Sequence, residues 1–265
     1  MDTAPFASKT LDLADLHAAP VAAARAQLRR FALRLGAANV PFAVNGVLRR
    51  RLLVRPHKMW EYARVVACVL QKMNARRGPA ARSEDTTAAA RAKERRRFRV
   101  LDFGGGATLP VFYLAQQNCD VWCLDVDAAL ANWSNQLGWK RGWRLRALTH
   151  DLTAAAAPGD WGQFDAVISC SVLEHIPKAR QAPLLERLAA LLKPHGVFCL
   201  TCDFGVEAPV EAAIRTEAEM ERLVAACGLR FLAGGGFRDT GARFALDKRH
   251  PRKRFTFASL FLQKR

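Results

Sequence analysis

Apolar positions along the chain fall into two textures. In residues 20–36, Val21, Ala24, Leu28, Phe31 and Leu35 recur on one stripe, and Arg25, Arg29, Arg30 and Arg34 lie mostly off it. That spacing predicts an amphipathic helix, with Pro20 in its first turn and Gly36 at its stop. A second short helix is expected over Val47–Arg55, ending before Pro56. A third is expected from about Met59 to Asn74, with Trp60, Ala63, Ala67 and Leu70 on one side. Residues 75–97 carry no sustained apolar stripe and read as a flexible or partly helical linker.

Beyond residue 97 the period changes. Short apolar runs at 97–103, 120–125, 143–148, 164–169, 197–202, 229–232 and 255–263 read as strands. Helical patterns at 108–117, 128–137, 182–192 and 217–227 alternate with them until the last two strands follow one another. FDAVIS at 164–169 is continuously apolar, as in parallel strands covered on both faces. The alternation predicts an α/β fold: a Rossmann-like, doubly wound, mostly parallel seven-stranded sheet with an antiparallel last strand. The expected organisation is an N-terminal helical extension over 1–75, a linker over 76–96 and a nucleoside-binding domain over 97–265.

Composition narrows the class. The 265 residues are 51% hydrophobic and 25% charged, as in ordinary globular proteins. No run reaches the ~18 apolar residues of a membrane-spanning helix, and the acidic start, MDTAPFASKTLDLADLH, lacks a secretory signal's apolar core. Seven scattered cysteines fit a reduced compartment, so a cytoplasmic location is expected. The net charge of +17 is uneven: +14 over residues 1–99, −4 over 100–247 and +7 over 248–265. Arginine dominates the basic residues and alanine is abundant, so genome composition weakens the basic balance as a pointer to nucleic acid.

The strongest chemical signal is VLDFGGGATLP at 100–110, between a predicted strand and helix. Gly104, Gly105 and Gly106 let the backbone turn sharply and approach a ligand, and a helix N-terminus follows. About twenty residues on, Asp125 ends the next strand, where an acid can accept both ribose hydroxyls. A dinucleotide would want Gly or Ala where Leu109 stands. Asp102 would also sit badly beside a pyrophosphate and suits a cationic ligand such as a sulfonium with an amino-acid tail.

VLDFGGGAT, VWCLDVD, HDL at 150–152, FDAVISCSVLEHI at 164–176 and LLKPHGVFCLT at 192–201 follow in the order and spacing of the class I S-adenosylmethionine-dependent methyltransferases, of type 11/12. The chain resembles that family over roughly residues 97–263. Thr108 stands at its usual last glycine, and Pro194-His195-Gly196 at its usual Pro-Gly-Gly. The resemblance implies S-adenosylmethionine as cofactor. Gly104, Gly105 and Gly106 would pass under its methionine part with Asp102 near the ammonium, and Asp125 would hold the ribose beside Val126. Asp151 would face the adenine with Leu152 next to it, although an Asx turn is an equal reading of Asp151. Cys170 and Ser171 would line the edge where the methyl group is transferred.

Candidate proton acceptors follow the fourth and fifth strands of this domain: His175 beside Glu174, and Asp203. Capping or packing is an equal reading of each. No Asn/Asp-Pro-Pro-Tyr/Phe and no Pro-Cys follows the fourth strand, which disfavours those routes to amino groups and to cytosine C5. Cys199 and Cys202 have CxxC spacing, but on one strand they point to opposite faces, so no metal site is expected. HKMWEYARVV at 57–66 resembles the cover element of small-molecule members of the family, with Trp60 and Tyr62 as candidate lid or substrate residues and core packing the plainer reading of Trp60. Arg49, Arg50, Arg51, Arg55 and Lys58 read as a basic patch, and KRHPRKR at 248–254 as a second one near the substrate mouth. The expected function is methyl transfer to a small or medium-sized anionic acceptor. An RNA methyltransferase using the basic ends and a catalytically silent binding domain are the alternatives. Oligomeric state is not readable.

Overall fold

The computed structural model describes residues 5–50, 54–77 and 97–265. Most of the expected linker, and Arg51, fall outside them. Ten strands and six α-helices are described. They are β1 (Lys9–Thr10), α1 (Val21–Ala37), β2 (Phe42–Val44), β3 (Val47–Arg49), α2 (Pro56–Arg77), β4 (Arg99–Phe103), α3 (Leu109–Gln116), β5 (Asp120–Asp125), α4 (Ala128–Arg141), β6 (Leu145–Thr149), β7 (Phe164–Cys170), α5 (Lys178–Ala190), β8 (Leu192–Phe204), α6 (Glu217–Ala226), β9 (Arg230–Phe231) and β10 (Thr256–Gln263).

The main sheet runs β1-β10-β8-β7-β4-β5-β6, with β9 also on β10. β8, β7, β4, β5 and β6 are mutually parallel, and β10 is antiparallel to β8. The seven expected strands are all present, and Lys9–Thr10 adds an eighth at the β10 edge. Both faces of the sheet are covered. Ala166, Ile168, Val197 and Cys199 belong to one apolar cluster, and Phe164, Val167, Phe198, Leu200 and Cys202 to the other. Cys199 and Cys202 thus face opposite ways, as their strand spacing requires. KPHG at 193–196 is looped out of β8, because Leu192 pairs with Phe164 and Val197 already with Ala166.

The front end departs from expectation at one place. The helix expected over Val47–Arg55 is replaced at its start by strand β3, which pairs antiparallel with β2 as a hairpin; residues 51–53 lie outside the described residues. Asn45 and Gly46 close it with φ of 52° and 70°, the paired left-handed values of a two-residue hairpin turn. The Asn-Gly dipeptide outweighs the helix-compatible Val, Leu and Arg residues beside it. The hairpin docks on the glycine loop, where the Ala43 N–H donates to Ala107 O at 2.7 Å.

α1 and α2 share one apolar cluster with the sheet residues Val100, Val121 and Phe261. Asp15 ties this end together. It accepts from Trp60 Nε1 at 3.0 Å and Arg64 at 2.5 Å, and Lys9 lies 2.7 Å away. The Arg64 guanidinium sits 5.1 Å from the Trp60 ring centre and 5.0 Å from that of Phe261. No helix among the described residues is long and apolar enough to cross a membrane.

Candidate functional site

Strand order reverses between β4 and β7, so a crevice opens at their C-terminal ends, where open α/β sheets bind ligands. Asp102 and Gly104–Gly106 stand on the β4 side, and Cys170, Ser171 and Val172 on the β7 side. Gly104 and Gly106 have φ of 74° and 51°, which glycine adopts without strain. The cradle is tight. A Cβ on Gly104 would come within 2.6 Å of Val172, and one on Gly106 within 2.9 Å of Asp125 Oδ2. A Cβ on Gly105 would overlap the Asp102 carboxylate.

Asp102 is buried and accepts from Cys123 Sγ at 3.2 Å. Burial, with the charge of Asp125, pushes its pKa up to about 7 against the hydrogen bonds from Cys123 and Gly105. Asp125 is half-buried, and its pKa is raised, mainly by burial. Its Oδ1 accepts from the Asp127 N–H at 2.9 Å. Val126 is exposed next to it, while Leu152 is buried. Two incompletely compensated carboxylates around a glycine cradle suit a ligand that brings positive charge and ribose hydroxyls. The residues present therefore fit S-adenosylmethionine.

Asp151 adopts the Asx turn that was its alternative reading. Its Oδ1 accepts from the Thr153 N–H at 2.8 Å, and hydrogen bonding from Thr153 lowers its pKa. Trp60 is packed wholly inside, bonded to Asp15. Tyr62 is buried under the Lys58 ammonium, which lies 5.7 Å from its ring centre, and burial raises its pKa. His175 lies on the exposed side of the short turn after β7. Partial desolvation and the charge of Lys58 lower its pKa.

Lys58 does not belong to a solvated basic patch. It is buried, 3.1 Å from Glu61 Oε1, and donates to Ser171 Oγ at 2.7 Å. Glu61 is wholly buried, and its Oε2 accepts from Ser171 and from Thr201 at 2.6 Å each. α2 is thereby bonded to the C-terminal ends of both β7 and β8. Burial alone would lower the Lys58 pKa, but Glu61 and further acidic neighbours raise it. Sequence reasoning missed Glu61 and Thr201. The available signal was that Lys58, Glu61 and Tyr62 continue backward the apolar stripe of Val65, Cys68 and Val69.

Glu174 and Asp203 complete the surroundings, both buried. Burial, and then the charge of Asp203, raises the Glu174 pKa. Burial and Glu61 push Asp203 up to about 7. The basic segment 248–254 is exposed and borders the same end. Arg254 N–H donates to Glu207, just past β8, at 2.7 Å.

Comparison with known proteins agrees with this geometry. Residues 101–198 match the family model described as a methyltransferase domain. TehB from Haemophilus influenzae shares the fold, with a TM-score of 0.50 and 16% identity over 70% of this chain and 64% of TehB, so this chain spans just under two thirds of it. Magnesium protoporphyrin IX methyltransferase from Synechocystis PCC 6803, solved with bound S-adenosylmethionine, is 17% identical over 81% of this chain and all of that one, with a TM-score of 0.47. No curated protein sequence matches significantly. The matched segment holds the glycine cradle, Asp125, most of β4 and the strands β5, β6 and β7, and the reversal of strand order falls within it.

Proposed function

We propose that the protein transfers a methyl group to a small or medium-sized acceptor carrying an anionic group, by in-line displacement. The observation that carries this reading is closure. Lys58, Glu61 and Tyr62 are buried against the ends of β7 and β8, so α2 roofs the transfer edge. A roofed edge suits a compact acceptor better than a folded RNA.

S-adenosylmethionine supplies an activated methyl group on a sulfonium whose leaving sulfur needs no acid. The chain has to align the acceptor and exclude water. In this reading Asp102 faces the cofactor ammonium, Gly104–Gly106 its methionine part, and Asp125 and Val126 the ribose, with Leu152 against the adenine. Cys170 and Ser171 flank the reacting centre. Asp151 retains only an adenine-edge contact compatible with its turn. His175 and Asp203 are the proton acceptors on offer. The anionic part of the acceptor would meet exposed Arg49 and Arg50 on the hairpin and the basic segment 248–254.

Purified protein should be stabilised thermally by S-adenosylhomocysteine and not by NAD, and Asp125→Ala should remove the shift. No response to either adenosyl ligand would sink the reading. The exposure of segment 248–254 leaves RNA as the second acceptor class. Salt-sensitive retention of bulk RNA, lost on replacing Arg49, Arg50 and Arg51, would favour it. Transfer of a labelled methyl group, screened against metabolite and RNA fractions, separates the two acceptors and also tests the catalytically silent alternative. A cytoplasmic location goes with this proposal.

A further inference from the structure

At the ends of β7 and β8 the chain gathers more negative than positive charge. Glu61, Glu174 and Asp203 are all buried, and the one buried cation among them is Lys58. Lys58 is committed to Glu61 and Ser171. Glu174 is 2% exposed, and its Oε2 has no hydrogen-bond partner. The strongest charge it feels is that of Asp203. Asp203 in turn feels the charges of Glu61, Lys58, Asp247 and Arg215. Arg215 is spent on the backbone carbonyls of Gly205, Val206, Ala208, Val210 and Glu211. Asp247 is held by Arg249 and His250.

Buried carboxylates without a counter-charge are held toward the neutral acid, and a cation arriving beside them from outside draws them back to the charged form. A metal ion is a poor candidate, because no three His, Cys, Asp or Glu side chains among the described residues are grouped to hold one. The cofactor's ammonium has Asp102 on the β4 side. The unpartnered Glu174 oxygen lies on the other side, just past β7, with Asp203 near the end of strand β8.

We propose that the reacting group of the acceptor is an amine, received as its ammonium between Glu174 and Asp203. The inference rests on the methyltransferase reading and names the acceptor atom. A protonated amine has no free lone pair. Its proton passes to a carboxylate, which becomes the neutral acid, and the nitrogen is left with the pair that forms the new N–C bond. The carboxylic acid then returns its proton to water. Asp203 is the better placed acceptor of the two, since Glu174 is the more deeply enclosed. An amine bearing an anionic tail would also satisfy the arginines at the rim.

Two readouts test this. The first needs no acceptor. In ligand-free protein at pH 8, above the value of about 7 to which Asp203 is raised, Asp203→Asn removes an uncompensated buried charge and should raise the Tm by about 2–4 °C, and Glu174→Gln should not lower it, whereas Glu61→Gln does. If both substitutions lower the Tm as Glu61→Gln does, these carboxylates are partners within the fold and the proposal falls. The second follows label from methyl-labelled S-adenosylmethionine into metabolite fractions. The labelled product should be retained on a cation exchanger and resist alkaline hydrolysis. Label released by alkali as methanol marks an ester, and label in a neutral ether marks an alcohol acceptor; either overturns the proposal. It also falls if the two variants lose affinity for S-adenosylmethionine but not for S-adenosylhomocysteine, which would assign the carboxylates to the sulfonium. A protein that binds neither adenosyl ligand refutes the underlying methyltransferase reading instead.

Discussion

The Lys58 ammonium lies 3.1 Å from Glu61 Oε1, and both side chains are buried. Glu61 Oε2 bonds Ser171 and Thr201, so one carboxylate on α2 joins the ends of two parallel strands. Removing one partner strands the other's charge inside the protein. Glu61→Gln should therefore cost about 3–5 kcal/mol of folding stability. The double variant Lys58→Met/Glu61→Gln should recover a large part of that loss. Urea unfolding of the two single variants and the double variant checks this, and strictly additive losses would contradict a coupled pair.

The acids around the crevice set an unusual pH dependence. Burial raises Asp102 and Asp203 to about 7, above the 3.8 of a free aspartate. Between about pH 4 and 7 the folded protein holds protons that the unfolded chain has released. Stability of the ligand-free protein should therefore fall as pH rises through that window, by about 1.4 kcal/mol per pH unit for each such group. Asp239 and Asp247, lowered to about 2, act in the opposite sense, but only near pH 2–4. Asp102→Asn should flatten the pH 4–7 slope. Thermal unfolding of both proteins across pH 4–8 measures it, and parallel slopes would show that Asp102 titrates normally.

Gly105 is the cradle position with the least room. A Cβ there meets the Asp102 carboxylate, which is itself anchored by Cys123. The φ of Gly105 is not positive, so its constraint is purely one of space. Gly105→Ala should displace the loop or the carboxylate at a cost of about 1–3 kcal/mol. It should also abolish binding of S-adenosylhomocysteine in titration calorimetry. Gly142→Ala is the control. Its φ is 64° and its Cβ would meet nothing, so it should lose some stability and keep the ligand.

How far these features could be read from the sequence depends on the range of the interaction. The alternation of strands and helices, the glycine loop and Asp125 are local patterns, and each is found where its spacing puts it. The hairpin at Asn45-Gly46 is local too, but its two strands are only three residues each and resemble helix formers in composition. Lys58 and Glu61 are different. Their partners Ser171 and Thr201 lie 113 and 140 residues away, so only the sheet order reveals the pairing. A charged residue on a helix reads as solvated until its neighbours in space are known, and on that ground the sequence groups Lys58 with the surface arginines.

The hairpin meets the end of the glycine loop at a parallel bridge between Ala43 and Thr108. Ala43 N–H donates to Ala107 O, one residue past the glycine cradle. The Ala43 amide points out of the hairpin toward that loop, on an edge where proline can be tolerated. Ala43→Pro should leave the β2–β3 pairing largely intact while removing the Ala43 N–H bond to Ala107 and setting the proline ring against that carbonyl. Losing one such bond should weaken S-adenosylhomocysteine binding up to about tenfold. Gly46→Ala loads the turn instead, because an alanine at φ 70° is strained by about 1 kcal/mol with nothing to collide with. It should lower stability and leave affinity closer to that of the parent. Calorimetric titration of both variants, beside their unfolding midpoints, separates the two effects. Equal affinities in all three proteins would mean that the glycine loop holds its shape without the hairpin.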